Sequence, residues 1–440
     1  GTSVLKNLEK YGVISIFDKE IYRNPYKNIE VKEQKKIELT FEQSKAYDTY
    51  SNMLLNGGGS GLLYGVTGSG KTQVYLKLID KALENDRDVI VLVPEISLTP
   101  QVLSIFHARY GDKVAVFHSG LSLGERNDEY KRADRGEAKI VIGTRSAVFA
   151  PLHNLGLIIM DEEQENTYKS ERTPKYNTKD FRCKYNKALF LMTSATPSLE
   201  TYSNALKGKY VLCELNERFG DAKLPHVITV DMKQEMKNGN KSPISSKLKE
   251  LISETIDNGK QAILLINRRG YNTFIACNDC GHVITCPNCS ISLTYHSTNN
   301  RLTCHYCGYT KSLDNVCPEC HSENIRYSGY GTQKIEDELS YLFPNARILR
   351  MDADTTSAKF SHEKLFNAFA NHEYDIMIGT QMVAKGLDFD NVTLVGVVNA
   401  DNSLYDESYN SAERCFDLIT QVVGRSGRRD GNGKAVIQTI

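Results

Sequence analysis

GVTGSGKT, residues 65–72, constrains the fold more than any other stretch of this chain. It follows the apolar run GLLYGV and leads into TQVYLKLIDKAL, whose apolar residues recur at helical spacing. A strand, a Gly-rich turn and a helix in that order make a phosphate-binding loop. Backbone N–H groups of the turn and of the helix N-terminus surround phosphate oxygens. Gly65, Thr67, Gly68, Ser69 and Gly70 supply the loop, Lys71 reaches the β- and γ-phosphates, and Thr72 binds Mg²⁺. The plain alternative, a Gly-rich turn with a chance lysine, accounts for neither flank.

The rest of the chain keeps that alternation. From about residue 39, the β-branched runs DVIVLV, VAVFH, KIVIGT, LGLIIMD and ALFLMTSA are separated by amphipathic stretches. Buried parallel strands with helical crossovers read this way. A second set follows the polar tract 231–247: QAILLINRRG, ARILRMDAD, YDIMIGTQM, VTLVGVVNAD and KAVIQTI. At 440 residues, two or three domains are expected. The expected fold class is α/β, with two parallel-sheet lobes. The boundaries read as follows: 29–38 a charged linker, 39–230 the first, ATP-binding lobe, 231–275 the hinge and start of the second lobe, 276–321 a cysteine-rich insert, and 322–440 the rest of the second lobe.

Charge does not choose a partner. There are 54 Lys+Arg against 54 Asp+Glu, so a nucleic-acid surface has to be local. No apolar run follows a basic start, so no secretory signal is read. VIVLV at 89–93 and AILLI at 262–266 fall far short of the ~20 residues a membrane span needs. A cytoplasmic, reducing setting with no membrane role is expected. There, clustered cysteines are metal ligands rather than disulfides.

Eight of the 11 cysteines form four C-x-x-C pairs: Cys277 with Cys280, Cys286 with Cys289, Cys304 with Cys307, and Cys317 with Cys320. Each pair makes a tight knuckle with two thiolates, and two pairs close one tetrahedral site with Zn–S of ~2.3 Å. Four pairs give two zinc sites. Closed shells leave no position for water, which makes the metal structural. Iron–sulfur ligation is the second reading, although Gly281, Pro287, Gly308 and Pro318 suit ribbon knuckles better. Spacing alone leaves open which knuckles share a metal. Cys183, Cys213 and Cys415 stand apart and read as small buried apolar residues.

DEEQ at 161–164 follows the strand LGLIIM. Asp161, at the strand's C-terminal end, can help hold Mg²⁺, and Glu162 can polarise the attacking water. Alone, such a run is usually a solvated charge cluster. After a phosphate loop it reads as the second half of a nucleotide site. QVVGRSGR at 421–428 carries Gln421, Arg425 and Arg428, the two arginines sharing a face if the segment is helical. One reading is a basic surface helix. The other is an arginine finger that neutralises γ-phosphate charge in the transition state.

Residues 164–187 interleave Tyr168, Tyr176, Phe181 and Tyr185 with Lys169, Arg172, Lys175, Lys179, Arg182, Lys184 and Lys187. Aromatic faces stack on unpaired bases at ~1–3 kcal/mol each, and cations track phosphates. The Pro-containing part, 168–176, therefore reads as a DNA-contacting loop, while Phe181 and Tyr185 fit core packing equally well. For Arg268 and Arg269 in INRRGY, a phosphate contact and a solvated loop fit about equally.

The ordered set GVTGSGKT, LVPEISLTPQ (92–101), GTRSA (143–147), DEEQ, TSATPS (193–198), GTQMVAKGLDF (379–389) and QVVGRSGR resembles the superfamily 2 helicases. With the cysteine block between strands of the second lobe, it closely resembles the PriA family of bacterial replication-restart helicases, over nearly the whole chain. The resemblance implies two RecA-like lobes with a two-zinc insert in the second. It implies an ATP-dependent 3′→5′ DNA helicase that remodels stalled forks and promotes primosome assembly by reloading the replicative helicase. The implied cofactors are ATP, Mg²⁺ and two Zn²⁺. The implied partners are single-stranded and forked DNA, single-strand DNA-binding protein, helicase-loading proteins and the replicative helicase, with the enzyme a monomer.

By the same resemblance, Gln43 sits near the adenine, and Gly386 and Asp388 line the cleft. Thr144 and Arg145 touch the DNA backbone with parts of 94–101, while Ser194 and Thr196 couple nucleotide state to DNA grip. Cys277, Cys280, Cys317 and Cys320 hold one zinc, and Cys286, Cys289, Cys304 and Cys307 the other. Residues 1–28 become the tail of a truncated winged-helix-like domain. The family carries further domains on both sides of the motor, so reduced fork specificity is expected. The family commonly has His where this chain has Gln164, which can hydrogen-bond but cannot carry a proton. Two alternatives remain: a zinc-ribbon scaffold with vestigial ATPase, and an RNA or double-strand translocase on the same lobes.

Overall fold

DVIVL and IVIG have no polar side to turn outward, so strands built from them must be covered on both faces. The computed structural model carries this through in two sheets. It describes every residue except 1, 17–22, 24–36, 95–99, 171, 172, 174, 181–186, 220–223, 267–272, 278, 281, 290, 291, 297–300, 305, 306, 313–315, 324, 329–331, 352–360, 381, 382, 384–388, 406, 407 and 428–432.

The first sheet holds β1 (Gly59–Gly65), β2 (Asp88–Leu92), β3 (Val114–Phe117), β4 (Ile140–Gly143), β5 (Leu155–Asp161), β6 (Leu189–Ser194) and β7 (Val211–Leu215). All pair in parallel, in the order β3-β4-β2-β5-β6-β1-β7. Alternate residues of β2 enter different cores: Val89 and Val91 pack on one face, Ile90 and Leu92 on the other. β1, β4, β5 and β6 all end on the same edge, so Gly65, Gly143, Asp161 and Ser194 open onto one crevice. Ligand sites of open parallel sheets form at the carboxyl ends of strands.

The second lobe starts with β8 (His226–Asp231) and β9 (Gln261–Ile266). The insert follows with β10 (Thr273–Cys277), β11 (Thr294–His296), β12 (Arg301–Thr303), β13 (Thr310–Ser312) and β14 (Ile325–Ser328). The lobe resumes with β15 (Ile348–Met351), β16 (Ile376–Gly379), β17 (Val392–Val398) and β18 (Lys434–Thr439). Its sheet is parallel, in the order β15-β16-β9-β17-β18-β8. The insert forms a separate antiparallel sheet, β13-β12-β11-β10-β14. No helix among the described residues is long and apolar enough to cross a membrane.

Two expected boundaries move. β8 pairs with β18 along its whole length, so 226–231 belongs to the second lobe and the chain crosses earlier than 231. β8 is an edge strand with mostly exposed residues, which weakens its apolar signal. The polar tract after it is structured: Asp231 caps the helix Met232–Lys237, and Ser245 caps Ser246–Asp257. The insert's sheet likewise takes in residues on both sides of 276–321, because β10 and β14 pair with each other.

At the N-terminus, Thr2–Lys10 is helical and Gly12 turns the chain at φ +69°. Most of residues 17–28 and most of the expected linker lie outside the described residues. Arg23 bonds Asp128 Oδ2 through its backbone N at 3.0 Å and Nη1 at 3.2 Å, which ties this arm to the first lobe.

Candidate functional site

The phosphate loop forms where its sequence demands. Gly68 and Gly70 sit at φ +85° and +78°, a region that glycine enters freely. A Cβ on Gly70 would fall 2.4 Å from Gln43 Nε2 and would displace that amide. The helix Lys71–Glu84 starts directly after it. Lys71 Nζ donates to the Gly65 carbonyl at 2.7 Å, and Ser69 is buried beneath the loop. Gln43 completes a capping box with Thr40, and its Nε2 donates to the Ser69 carbonyl at 2.8 Å. The residue implied for adenine therefore also braces the loop from below.

Asp161 ends β5 facing this loop. Its Oδ1 accepts from Thr193 Oγ1 and from the Glu162 backbone N at 3.1 Å. Burial, and then the Glu162 charge, raise its carboxyl to about 6, while Lys71 pulls it down. The lysine and both acids thus share one site, and Thr72 lies exposed at its mouth. A Mg²⁺ ion suits that donor set of one carboxylate and one hydroxyl beside phosphates. Glu162 adopts φ +50°, a left-handed conformation uncommon for a non-glycine residue.

Gln164 links this site to TSATPS. Its Nε2 donates to Glu162 Oε2 at 2.7 Å, and its Oε1 accepts from Ser194 Oγ at 2.6 Å. Ser194 Oγ in turn accepts from Thr196 N at 2.9 Å. Glutamine therefore bridges the two segments through hydrogen bonds alone.

Glu163 carries no signal in the sequence beyond its place in DEEQ. Its side chain is 0% exposed and pairs with Lys179. It also accepts from Ser198 N at 2.6 Å and Thr201 Oγ1 at 3.0 Å. One carboxylate thus anchors DEEQ, the end of TSATPS and the return of the basic loop. Glu163→Ala should destabilise the chain by about 3–5 kcal/mol, because it breaks a buried pair and strands its partner. Glu163→Gln should cost less, since it keeps an acceptor for Ser198 N. Chemical denaturation measures both, and an Ala variant as stable as wild type would contradict the anchor role.

The helix Ser411–Val423 brings the second lobe onto these elements. Glu413 Oε1 accepts Leu199 N at 2.7 Å, so it caps a first-lobe helix from across the cleft. Past this helix, a Cβ on Gly424 would fall 2.8 Å from Thr67 Cβ, so the QVVGRSGR turn rests on the phosphate loop. Gln421 is buried and Arg425 half-buried. Gly386, Asp388 and Arg428 lie outside the described residues.

Asp417, on the same helix, contacts Thr196. Burial, and then Glu413, Glu163 and Glu165, push its carboxyl from 3.8 to about 7. Between those values the folded chain keeps a proton that the unfolded chain has lost. Stability should therefore fall as pH rises from about 4 to about 7, with the full penalty above that window. Asp417→Asn stays neutral, so its thermal melts should change less across the window. Equal pH slopes in both proteins would clear Asp417 of the effect.

Of the expected DNA residues, Thr144, Arg145, Lys169, Lys175 and Tyr176 lie close together on the first lobe. Thr144 follows β4 and is mostly buried, its N donating to the Phe117 carbonyl at 3.0 Å. Arg145 Nη1 donates to the carbonyls of Thr167 and Lys169, each at 3.3 Å. A cavity of about 440 Å³ beside them is lined by Phe117, His118, Arg126, Tyr130, Arg145 and Phe149, among others. Lys169 forms an antiparallel bridge with Asn177, and Ser170 N donates to the Tyr176 carbonyl, which pairs the two ends of the basic loop. Lys169 and Lys175 are exposed, and Tyr176 packs edge-on against Phe149 at 5.2 Å. Arg172, Phe181, Arg182, Lys184, Tyr185, residues 95–99 and the two arginines of INRRGY lie outside the described residues.

Tyr168 is a correction. It is 2% exposed, with its hydroxyl between the carbonyls of Leu92, at 3.0 Å, and Asp161. The ring is core and is not offered to a base. Its neighbours in sequence are basic and polar, so only the packing reveals this.

The eight cysteines fall into two groups: Cys277, Cys280, Cys317 and Cys320, and Cys286, Cys289, Cys304 and Cys307. Within each group all sulfurs lie within 4.8 Å of one another. Tetrahedral zinc with Zn–S of ~2.3 Å sets neighbouring sulfurs ~3.8 Å apart. The closest pairs, Cys277–Cys320 at 3.5 Å, Cys280–Cys317 at 3.6 Å and Cys286–Cys307 at 3.6 Å, fit that shell. The knuckles share a backbone pattern. Cys304 N bonds the Tyr309 carbonyl and Cys317 N the Ser322 carbonyl, with Gly308 and His321 at φ +75° and +59°. The thiols of each group bear on one another in opposite directions: backbone N–H donors lower Cys307 and Cys317 to about 7, while burial and the neighbouring thiols push Cys289 up to about 12. The groups are nested: the outer one closes the insert at β10 and β14, the inner one holds its tip.

Three family profiles match in order along the chain. They are DEAD/DEAH box helicase over residues 43–205, PriA DNA helicase Cys-rich region (CRR) domain over 286–311, and Helicase conserved C-terminal domain over 310–430. The replication restart protein PriA of Bacillus subtilis (strain 168) is 48% identical, over 100% of this chain and 55% of that protein. Its counterpart in Synechocystis sp. (strain ATCC 27184 / PCC 6803 / Kazusa) is 44% identical, over 99% of this chain and 54% of that one. The chain spans about half the length of these curated relatives.

Among solved structures, RecG bound to a three-way DNA junction aligns with a TM-score of 0.54 at 16% identity, over 100% of this chain and 47% of that one. The helicase MrfA bound to DNA aligns at 0.53 and 16%, over 91% and 48%. At that identity the likeness concerns the fold. Sharing nearly half its residues from end to end with replication restart proteins, and matching the profile of their cysteine-rich region, the chain belongs to the PriA family of helicases.

Proposed function

We propose that this chain is the ATP-driven motor of replication restart. It moves 3′→5′ along single-stranded DNA, remodels stalled forks and helps reload the replicative helicase. The observation that supports this most is the contact between Thr67 of the phosphate loop and Gly424 of the second lobe. A nucleotide held there touches both lobes, so its hydrolysis shifts the balance between lobe arrangements.

In this reading Lys71 binds the β- and γ-phosphates, and Thr72 and Asp161 would hold the Mg²⁺ that neutralises their charge. Glu162 orients the attacking water, and Arg425 and Arg428 stabilise the leaving charge. Thr144, Arg145, Lys169, Arg172, Lys175 and Tyr176 grip the DNA. Gln164 carries the coupling from Glu162 to Ser194 without a proton. The two cysteine groups would hold structural zinc and so stiffen the insert, which can then meet DNA, single-strand DNA-binding protein or helicase loaders. Strand displacement on forks with one or the other arm single-stranded tests the reading. Unwinding should need ATP and the arm that permits 3′→5′ entry. Equal unwinding from both arms would overturn the polarity, and none from either would overturn the motor.

A further inference from the structure

Arg218 lies just past β7, where the chain leaves the first lobe. It is only 7% exposed, and a buried guanidinium has to place its donors within the protein. It places two of them across the lobe boundary. Nη2 donates to the Gly424 carbonyl at 2.9 Å, and Nη1 to the Ser426 carbonyl at 3.3 Å. Those two carbonyls flank Arg425.

The other end of the side chain rests on the phosphate loop. Its Cγ lies 3.8 Å from where a Cβ of Gly68 would stand, and Phe219 N donates to the Gly68 carbonyl at 2.9 Å. One residue therefore touches both the loop that faces the phosphates and the turn that carries the finger. The turn is also pinned to its own lobe, since Ser426 Oγ lies 2.7 Å from the Thr393 carbonyl and 3.1 Å from that of Lys434. Without Arg218 the turn should stay folded but lose its register on the loop.

We propose that Arg218 is a positioning residue that aims Arg425 by gripping the carbonyls on either side of it. The proposal rests on reading Arg425 as an arginine finger. Arginine suits the task because its planar fork fixes two acceptors at once, whereas lysine is a point charge on a flexible stem. Its action is on the transition state, where misplacing a charged group by about 1 Å costs ~10²-fold in rate.

DNA-stimulated ATP hydrolysis tests this with Arg218→Met, Arg218→Lys, Arg425→Ala and the double variants. Arg218→Met should lower kcat by about 10–100-fold, with KM for ATP and the melting temperature close to wild type. Arg218→Lys should also lose rate, and it carries the test should the Met variant fold poorly. In the Arg425→Ala background, either change at 218 should add nothing. Additive losses, or full activity in Arg218→Lys, would overturn the positioning role. A defective Arg425→Ala beside a normal Arg218→Met would do the same and leave the finger standing. An Arg425→Ala enzyme with unchanged kcat would remove the finger and the proposal together.

Discussion

Lys71→Ala should lower ATP turnover by about 10²–10³-fold or more, the cost of losing one preorganised donor at a charged transition state. The geometry supports the upper end. Lys71 Nζ donates to the Gly65 carbonyl at 2.7 Å, inside the loop, and its charge already bears on Asp161. Alanine is a good helix former at the first position of Lys71–Glu84, so the fold should persist. Steady-state hydrolysis with and without single-stranded DNA is the measurement. Equal rates in both proteins would mean that the loop is not the hydrolytic site.

Cys286→Ser should reduce the bound metal from two ions per chain to one and unfold the tip of the insert. The core that the insert builds for itself is small: Ile275, Ile284, Cys286, Leu293, Leu302 and Cys304, with three partly buried neighbours. Two of its six members, Cys286 and Cys304, belong to the inner cysteine group that could hold a metal. A core of that size cannot offset the entropy of ordering its loops. Structural zinc contributes about 10–16 kcal/mol of apparent binding energy in small domains, which makes the metal the main support here. Metal analysis and limited proteolysis between 286 and 311 should report the change. The outer group closes at β10 and β14, so Cys277→Ser should detach the insert at its base instead. ATP hydrolysis without DNA should survive both, since neither group touches the phosphate loop. Two metal ions still bound in Cys286→Ser would break the nested assignment.

Features that depend on neighbours along the chain are legible in the amino-acid sequence alone. The phosphate loop is a strand, a turn and a helix in unbroken succession from Gly59 to Glu84. Buried parallel strands announce themselves by unbroken apolar runs, and β2, β4 and β9 are buried along their full length. β8 escapes because an exposed edge strand has no such run. The knuckles are visible as pairs, but spacing leaves their partners open, since two nested loops and two successive ones use the same local turn.

What the sequence by itself determined is which local devices the chain owns: one phosphate loop, one acidic strand end, one arginine turn and four thiolate knuckles. What only the tertiary structure decided is who meets whom. Tyr168 reads as a base-stacking aromatic until its hydroxyl is found between two carbonyls of the core. Glu163 reads as one more surface acid until Lys179, Ser198 and Thr201 converge on it. Arg218 has no signature at all, because its partners lie 206 and 208 residues further along the chain. Local patterns record the backbone conformations that neighbours impose on each other. Contacts across such separations are set by how two folded lobes come to rest, and no short stretch of sequence carries that information.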